Sequence, residues 1–259
     1  MGDRISYEIN EKGVAVLTIK NPPMNALDEL TMLELEFIIH QIEVDQKVKA
    51  VVITGSGPVF VVGADISKVQ NVVTREEGER LTGRAHQIMD LVENLRKPVI
   101  AAINGSCLGG GTELALACHI RIAGDQAQMG LPEIMLGIMP AFGGTQRAVR
   151  QIGRSKALEL ILTGRFMNAK EAGEMGLVNK VVPQDKVLDE ALDMAKGLSY
   201  KSPLAMAAIL ESVIDGGKLP LDEGLALESR CFGRIAESED KKEGVAAFFE
   251  KRKPQFKGK

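Results

Sequence analysis

Cysteine is scarce in this chain of 259 residues and badly placed for cross-linking. Cys107, Cys118 and Cys231 are an odd number without CxxC spacing, which argues against both a disulfide framework and a zinc site and fits a reducing compartment. An excess of positive charge is also missing. At a net charge of −3 the chain has no general basic face for phosphates, so a small-molecule partner is expected rather than nucleic acid. No apolar run approaches the roughly 20 residues that span a bilayer. The segment Met1-Gly2-Asp3-Arg4-Ile5-Ser6-Tyr7-Glu8 lacks the apolar stretch of a signal peptide. A cytoplasmic protein without membrane contact is the expectation. The three histidines, His40, His86 and His119, show no metal-ligand spacing, so no metal is expected.

What remains is ordinary globular material, 45% hydrophobic and 26% charged, enough for one large domain with a full core or one domain plus a smaller appendage. Val14–Ile19 is a β-branched run closed by Asn21-Pro22-Pro23, a strand and a turn. From Asp28 the residues Leu30, Leu33, Phe37, Ile38 and Ile42 recur at helical spacing and predict an amphipathic helix. Val51–Thr54, Val99–Ile103 and His119–Ala123 read as strands. Thr74 with Glu77 is a capping box opening a helix that runs toward Asn94. Strands alternating with helices imply a layered α/β architecture with parallel pairing. Strand signals fade after Val178–Val182, and helices are expected over 184–199, 203–215, 221–237 and 240–251, with Ser202-Pro203 as a helix start. The expected division is a core over 1–200 and a helical region over 201–259. The Ala/Leu/Met content of that last region exceeds its own packing needs and suggests that it covers a neighbouring subunit.

Two carboxylates stand beside backbone forced out of regular structure. Glu113 follows Leu108-Gly109-Gly110-Gly111-Thr112, and Glu133 follows Leu131-Pro132. Such backbone can turn its own N–H groups toward a ligand, so one region could offer an acid/base pair and a charge-stabilising amide, which suits chemistry next to a carbonyl. Taken singly, Glu113 is also a carboxylate favoured at a helix N-terminus, and Glu133 a solvated loop charge. Gly105 and Gly110 have the spacing of a phosphate-binding loop, but Gly111 stands where that loop needs its lysine, which argues against nucleotide hydrolysis. Cys107 has no positioned histidine and reads as a small buried thiol.

Several motifs together resemble the enoyl-CoA hydratase (crotonase) family. They are Phe60-x-x-Gly63-Ala64-Asp65-Ile66, Ile103-Asn104-Gly105 with Leu108–Ala115, Gly130-Leu131-Pro132-Glu133 through Pro140, and Gly143-Gly144-Thr145-Gln146-Arg147. Leu162–Gly164, Ala172 through Val178 and Glu243 through Arg252 extend the likeness over nearly the whole chain. The resemblance implies a crotonase-like spiral of ββα turns with a helical C-terminal trimerisation region, commonly assembled as a dimer of trimers. It also implies reversible hydration of 2-trans-enoyl-CoA to 3-hydroxyacyl-CoA, in fatty-acid or branched-chain degradation. No cofactor is implied, coenzyme A being part of the substrate. The amides of Ala64 and Gly110 match the family's oxyanion hole, and Glu113 and Glu133 match its two catalytic glutamates. We assign Glu113 as base toward water and Glu133 as proton donor. Ala26, Asp65, Ile66, Ala141 and Phe142 are expected at the substrate. Phe248 and Lys251 are expected to reach the coenzyme A adenine end from an adjacent subunit. Other expectations for this family are double-bond isomerisation, hydration of a branched substrate such as methylglutaconyl-CoA, or a non-catalytic or RNA-binding paralogue. Retention of both glutamates speaks against the non-catalytic reading, and the negative net charge against RNA.

The chain departs from the family pattern at Pro140-Ala141-Phe142-Gly143, where the family usually has Pro-Gly and uses that glycine's amide to hold the catalytic water. Phe142 is expected to close the far wall of the acyl pocket. His119, where many members carry Asp, is expected to be structural.

Overall fold

Strands that are apolar on both faces must be covered on both sides, and the chain does this by winding. The structure, a computed structural model, describes residues 4–259 apart from the side chains of Ile66 and Ser67. An antiparallel hairpin of β1 (Ile5–Ile9) and β2 (Val14–Ile19) leads into α1 (Glu29–Val44). Three passes then repeat one plan. The first is β3 (Ala50–Gly55), β4 (Val59–Val62), the short α2 (Ile66–Gln70) and α3 (Arg75–Glu93). The second is β5 (Val99–Ile103), β6 (Ser106–Leu108) and α4 (Gly110–Ala117). The third is β7 (Ile120–Gly124), β8 (Gln128–Gly130), a 3-10 turn Pro132–Leu136 and α5 (Gly144–Ile152). The chain continues through α6 (Arg154–Thr163), β9 (Phe166–Asn168), α7 (Ala169–Met175), β10 (Lys180–Val182) and α8 (Val187–Ser199).

The first strand of each pass joins a six-stranded sheet, β1-β2-β3-β5-β7-β10, and the second joins a four-stranded sheet, β4-β6-β8-β9. All neighbours are parallel except β1 with β2 and β8 with β9. This is the ββα spiral that the resemblance implied. One face of the larger sheet (Val14, Val52, Ile100, Ile122) packs on Val187, Ala191 and Ala195 of α8. The other face (Leu17, Ile53, Ala101, Ile103) enters the main core with α1, α3 and α4.

Local expectations hold at the caps. The Thr74 hydroxyl accepts from the Glu77 N–H at 3.2 Å, while the Glu77 carboxylate accepts from the Thr74 N–H at 3.0 Å. Ser202 caps α9 (Pro203–Gly216), which pairs with α10 (Leu221–Ala236) and is followed by α11 (Glu239–Phe249). The α1 face differs from expectation. Its buried side is Thr31, Met32, Leu35, Ile38, Ile39 and Ile42, whereas Leu30, Leu33 and Phe37 are exposed. The helix carries apolar residues on two sides, and helical spacing alone does not say which side meets the sheet. Among the described residues no helix is long and apolar enough to cross a membrane.

Candidate active site

The smaller sheet delivers the site. Its parallel strands end in register, with Val62 beside Leu108 and Leu108 beside Gly130, so three loops leave side by side at the carboxyl ends of β4, β6 and β8, where open α/β sheets place ligands. The Gly63 N–H donates to the Leu108 carbonyl at 2.8 Å and the Gly109 N–H to the Gly130 carbonyl at 2.9 Å. Thr112 adds a tie: its hydroxyl lies 2.6 Å from the Cys107 oxygen and 2.8 Å from the Gly130 oxygen, its single proton serving one at a time.

Two of the predicted residues meet at the first pair of loops. A Cβ at position 110 would lie 3.2 Å from the Gly63 carbonyl carbon and 3.4 Å from the Ala64 nitrogen, so the lack of a side chain lets these two peptides approach. Neither the Ala64 nor the Gly110 N–H has a hydrogen-bond partner among the described residues. Gly110 is buried and Ala64 half-buried. Unsatisfied amides in such a place are costly to a fold and point to a ligand that completes them.

Both amides border a cavity of about 700 Å³ that also holds Glu113 and Glu133. Apart from Thr82 its other side chains are apolar, among them Val69 from α2, Leu81 from α3, Met135 and Leu136 from the 3-10 turn, Met139, Ala141 and Phe142. Ala64, Val69, Leu81 and Phe142 also line a smaller cavity of about 250 Å³, which they share with Leu27, Met32, Asp65 and Lys68. Phe142 thus borders both, and it also packs against the main core.

Glu113 sits in the first turn of α4 and is 2% exposed. Its Oε1 accepts from the Phe142 N–H and the Gly144 N–H, each at 2.7 Å. Burial pushes its carboxyl up to about 7, with repulsion from Glu133 adding to the rise, against the two amides and Arg147, which favour the ionised form. Glu133 is the second residue of the 3-10 turn, half-buried, and its Oε2 is buried without a partner among the described residues. Burial raises its pKa as well. Two open amide donors beside two carboxylates of raised pKa can stabilise a developing oxyanion and move protons on either side of it.

The remaining predicted residues divide. Ala141 and Phe142 line the cavity, but the amides that engage a carboxylate belong to Phe142 and Gly144, and the Ala141 N–H has no partner among the described residues. Asp65 borders the smaller cavity. Ala26 borders neither, although its neighbours Leu27 and Asp28 line the smaller one. The Ile66 side chain lies outside the described residues. Phe248, 78% exposed, and Lys251 lie at the end of α11 and do not line the cavity of their own chain. His119 is half-buried between backbone groups: its Nδ1 accepts from the Val99 N–H at 2.9 Å, which leaves Nε2 to donate to the Glu93 carbonyl at 2.9 Å. Cys107 and Cys118 are buried thiols pushed up to about 12, unsuited to nucleophilic work. Among the described residues no cluster of His, Cys, Asp and Glu could hold a metal ion.

Sequence reading missed the holding role of Gly144 and the part of α3 in the wall. Gly144 stood in the quoted Gly-Gly-Thr-Gln-Arg motif; the capping box marked α3 as a helix, but nothing local marked it as part of the wall.

The chain matches the family model described as enoyl-CoA hydratase/isomerase over residues 9–259. It is 46% identical over 246 residues to a probable enoyl-CoA hydratase of Bacillus subtilis, covering 95% of each chain. It is 42% identical over 245 residues to a short-chain-enoyl-CoA hydratase of Clostridium acetobutylicum, covering 94% of each. The fold superposes on the crystal structure of an enoyl-CoA hydratase from Bacillus anthracis with a TM-score of 0.94 at 37% identity, covering 99% of this chain and 100% of that one.

Proposed function

The chain belongs to the enoyl-CoA hydratase/isomerase family, and on that footing we propose that it reversibly adds water across the double bond of a 2-trans-enoyl-CoA. The observation that carries this reading is the meeting of two unpaired amides with the buried Glu113 and the half-buried Glu133 in one largely apolar cavity. Glu113 takes a proton from water as the oxygen attacks C3 of the enoyl group. The electron pair of the double bond moves toward the thioester, and its oxygen gathers enolate charge between the Ala64 and Gly110 N–H groups, donors already in place and needing no reorganisation. Glu133 gives its proton to C2. Glu133, raised by burial, favours the acid form that a donor needs, and Glu113 at about 7 is poised to accept at neutral pH. Coenzyme A enters as the substrate's handle, and no other cofactor has a step to perform.

The purified protein, offered a panel of straight and branched enoyl-CoAs, should consume the conjugated thioester absorbance. A silent panel would overturn the reading, and faster turnover of a 3-enoyl-CoA would make the protein an isomerase instead.

Phe142 is the residue we hold responsible for chain length, because it borders both cavities and is bulky. Phe142→Ala should raise kcat/KM for long enoyl-CoAs relative to crotonyl-CoA, in a graded way, since shape discrimination is worth about 1–3 kcal/mol per methylene. An unchanged ratio in a folded variant would place the length limit elsewhere.

We assign 201–259 to subunit contact in a homotrimer or dimer of trimers. Ile209, Val213, Leu221, Leu225 and Phe232 are exposed on α9 and α10, more apolar surface than a small helical pair leaves without a cover. The aromatic Phe248 and the cationic Lys251 are then free to meet the adenine end of coenzyme A bound to a neighbouring protomer. Light scattering at micromolar concentration should report a trimer or hexamer; a stable, active monomer would dismiss the assignment.

A further inference from the structure

Arg147 is buried, in the first turn of α5, and does not line the cavity. Four contacts fix its guanidinium. Nε and Nη2 donate to Glu93 Oε2 at 3.0 and 2.8 Å, Nη2 donates to Asp90 Oδ1 at 2.6 Å, and Nη1 donates to the Phe142 carbonyl at 3.2 Å. The first three anchor it to α3. The fourth grips the turn that holds Glu113.

The order of peptides in that turn gives the fourth contact its meaning. The Phe142 carbonyl belongs to the peptide between Phe142 and Gly143. On one side of it lies the peptide carrying the Phe142 N–H, on the other the peptide carrying the Gly144 N–H, and both N–H groups donate to Glu113 Oε1. The carbonyl is held from α3's side while its two flanking amides are aimed at the carboxylate. Gly143 makes this possible: it has a φ of 108°, and a Cβ there would fall 2.0 Å from Arg147 Nη1. A glycine so placed is a free pivot unless something outside the turn holds it.

We propose that Arg147 is a positioning residue for the hydration, clamping the 142–144 turn against α3 so that the Phe142 and Gly144 amides hold Glu113 Oε1 in place and leave its other oxygen for water. The proposal rests on Glu113 acting as the base. The charged groups that face Glu113 are Glu133 from the 3-10 turn and Arg147 from α5. Asp90 and Glu93 of α3 are engaged by Arg147, while β4 and β6 bring no charged side chain.

Arg147→Gln removes both the grip and the positive charge. With crotonyl-CoA, kcat is expected to fall by up to about 10²-fold, the cost of a misplaced catalytic group, with KM nearly unchanged. The acidic limb of kcat/KM should move to higher pH, because loss of the cation and loosening of the amides both favour the protonated carboxyl. Arg147→Lys, which keeps the charge without the fork, should hold the limb near its parental position yet still lower kcat. Glu93→Gln, which loosens the anchor and leaves Arg147 in place, should lower kcat with KM held. Infrared titration of the Glu113 carboxyl, with Glu113→Gln as the subtracted reference, follows the same shift without turnover. If the parent protein is silent toward enoyl-CoAs, the functional reading fails while the infrared arm still tests the clamp. A folded Arg147→Gln with parental kcat and an unmoved limb overturns the proposal, as does a variant that only melts earlier. Should Arg147→Gln fail to fold, parental kcat in folded Arg147→Lys and Glu93→Gln overturns it equally.

Discussion

Glu113→Gln and Glu133→Gln should each abolish most enoyl-CoA hydration, by roughly 10²–10⁴-fold, while acyl-CoA binding stays close to parental. The two substitutions are nearly isosteric and leave the cavity's shape alone. At position 113 the amide oxygen can still accept from the Phe142 and Gly144 N–H groups, so the turn keeps its holding point. What is lost is the ability to take or give a proton. Steady-state rates on crotonyl-CoA, with binding of a saturated acyl-CoA measured by calorimetry, separate the two effects. Near-parental turnover in either variant would remove that residue from the mechanism. In the parent, kcat/KM should fall as pH drops through about 7, because the base must be ionised to accept.

Gly110→Ala is expected to cost about 10²–10³-fold in kcat, the range for loss of one preorganised oxyanion donor. The added methyl would sit 3.4 Å from the Ala64 nitrogen and 3.2 Å from the Gly63 carbonyl, tight enough to push the two peptides apart. The N–H of residue 110 survives, but the pair no longer converges on one oxygen. Position 110 is the first residue of α4, where alanine is a better helix former than glycine, so the melting temperature should change little. The informative measurement is kcat on crotonyl-CoA beside a melting curve. A stable variant with parental kcat would show that the thioester oxygen does not lie between these amides.

The sequence made the larger sheet readable because strands buried on both faces must be apolar along nearly their whole length, as Val51–Ile53 and Val99–Ile103 are. It hid the smaller one. β6, β8 and β9 are three residues each, too short for any period, and exist because a neighbour pairs with them. The site stands on the ends of those hidden strands. Its carboxylates and amides could be read all the same, since each lies beside a glycine or proline that breaks regular structure, within motifs that resemble a known family. Arg147 belongs to the opposite case. It was legible only as one letter of a motif, because Glu93 and Asp90, which give it a direction, are 54 and 57 residues away in the chain.

Burial of Glu113 also has a thermodynamic side. Its carboxyl is raised from an ordinary 4.5 to about 7 in the folded state. Between those values the folded protein holds a proton that the unfolded chain has released. Stability is therefore full below the lower value and declines as pH rises through the upper one, by an amount on the order of 3 kcal/mol. The Glu113→Gln variant carries no such ionisation, so above about pH 8 it should melt at a higher temperature than the parent, and the two curves should converge in acid. Parallel curves at every pH would contradict this. The carboxylate that makes the site reactive is thus a standing strain on the fold, and the protein gives up cohesion at the pH where its base is ready to act.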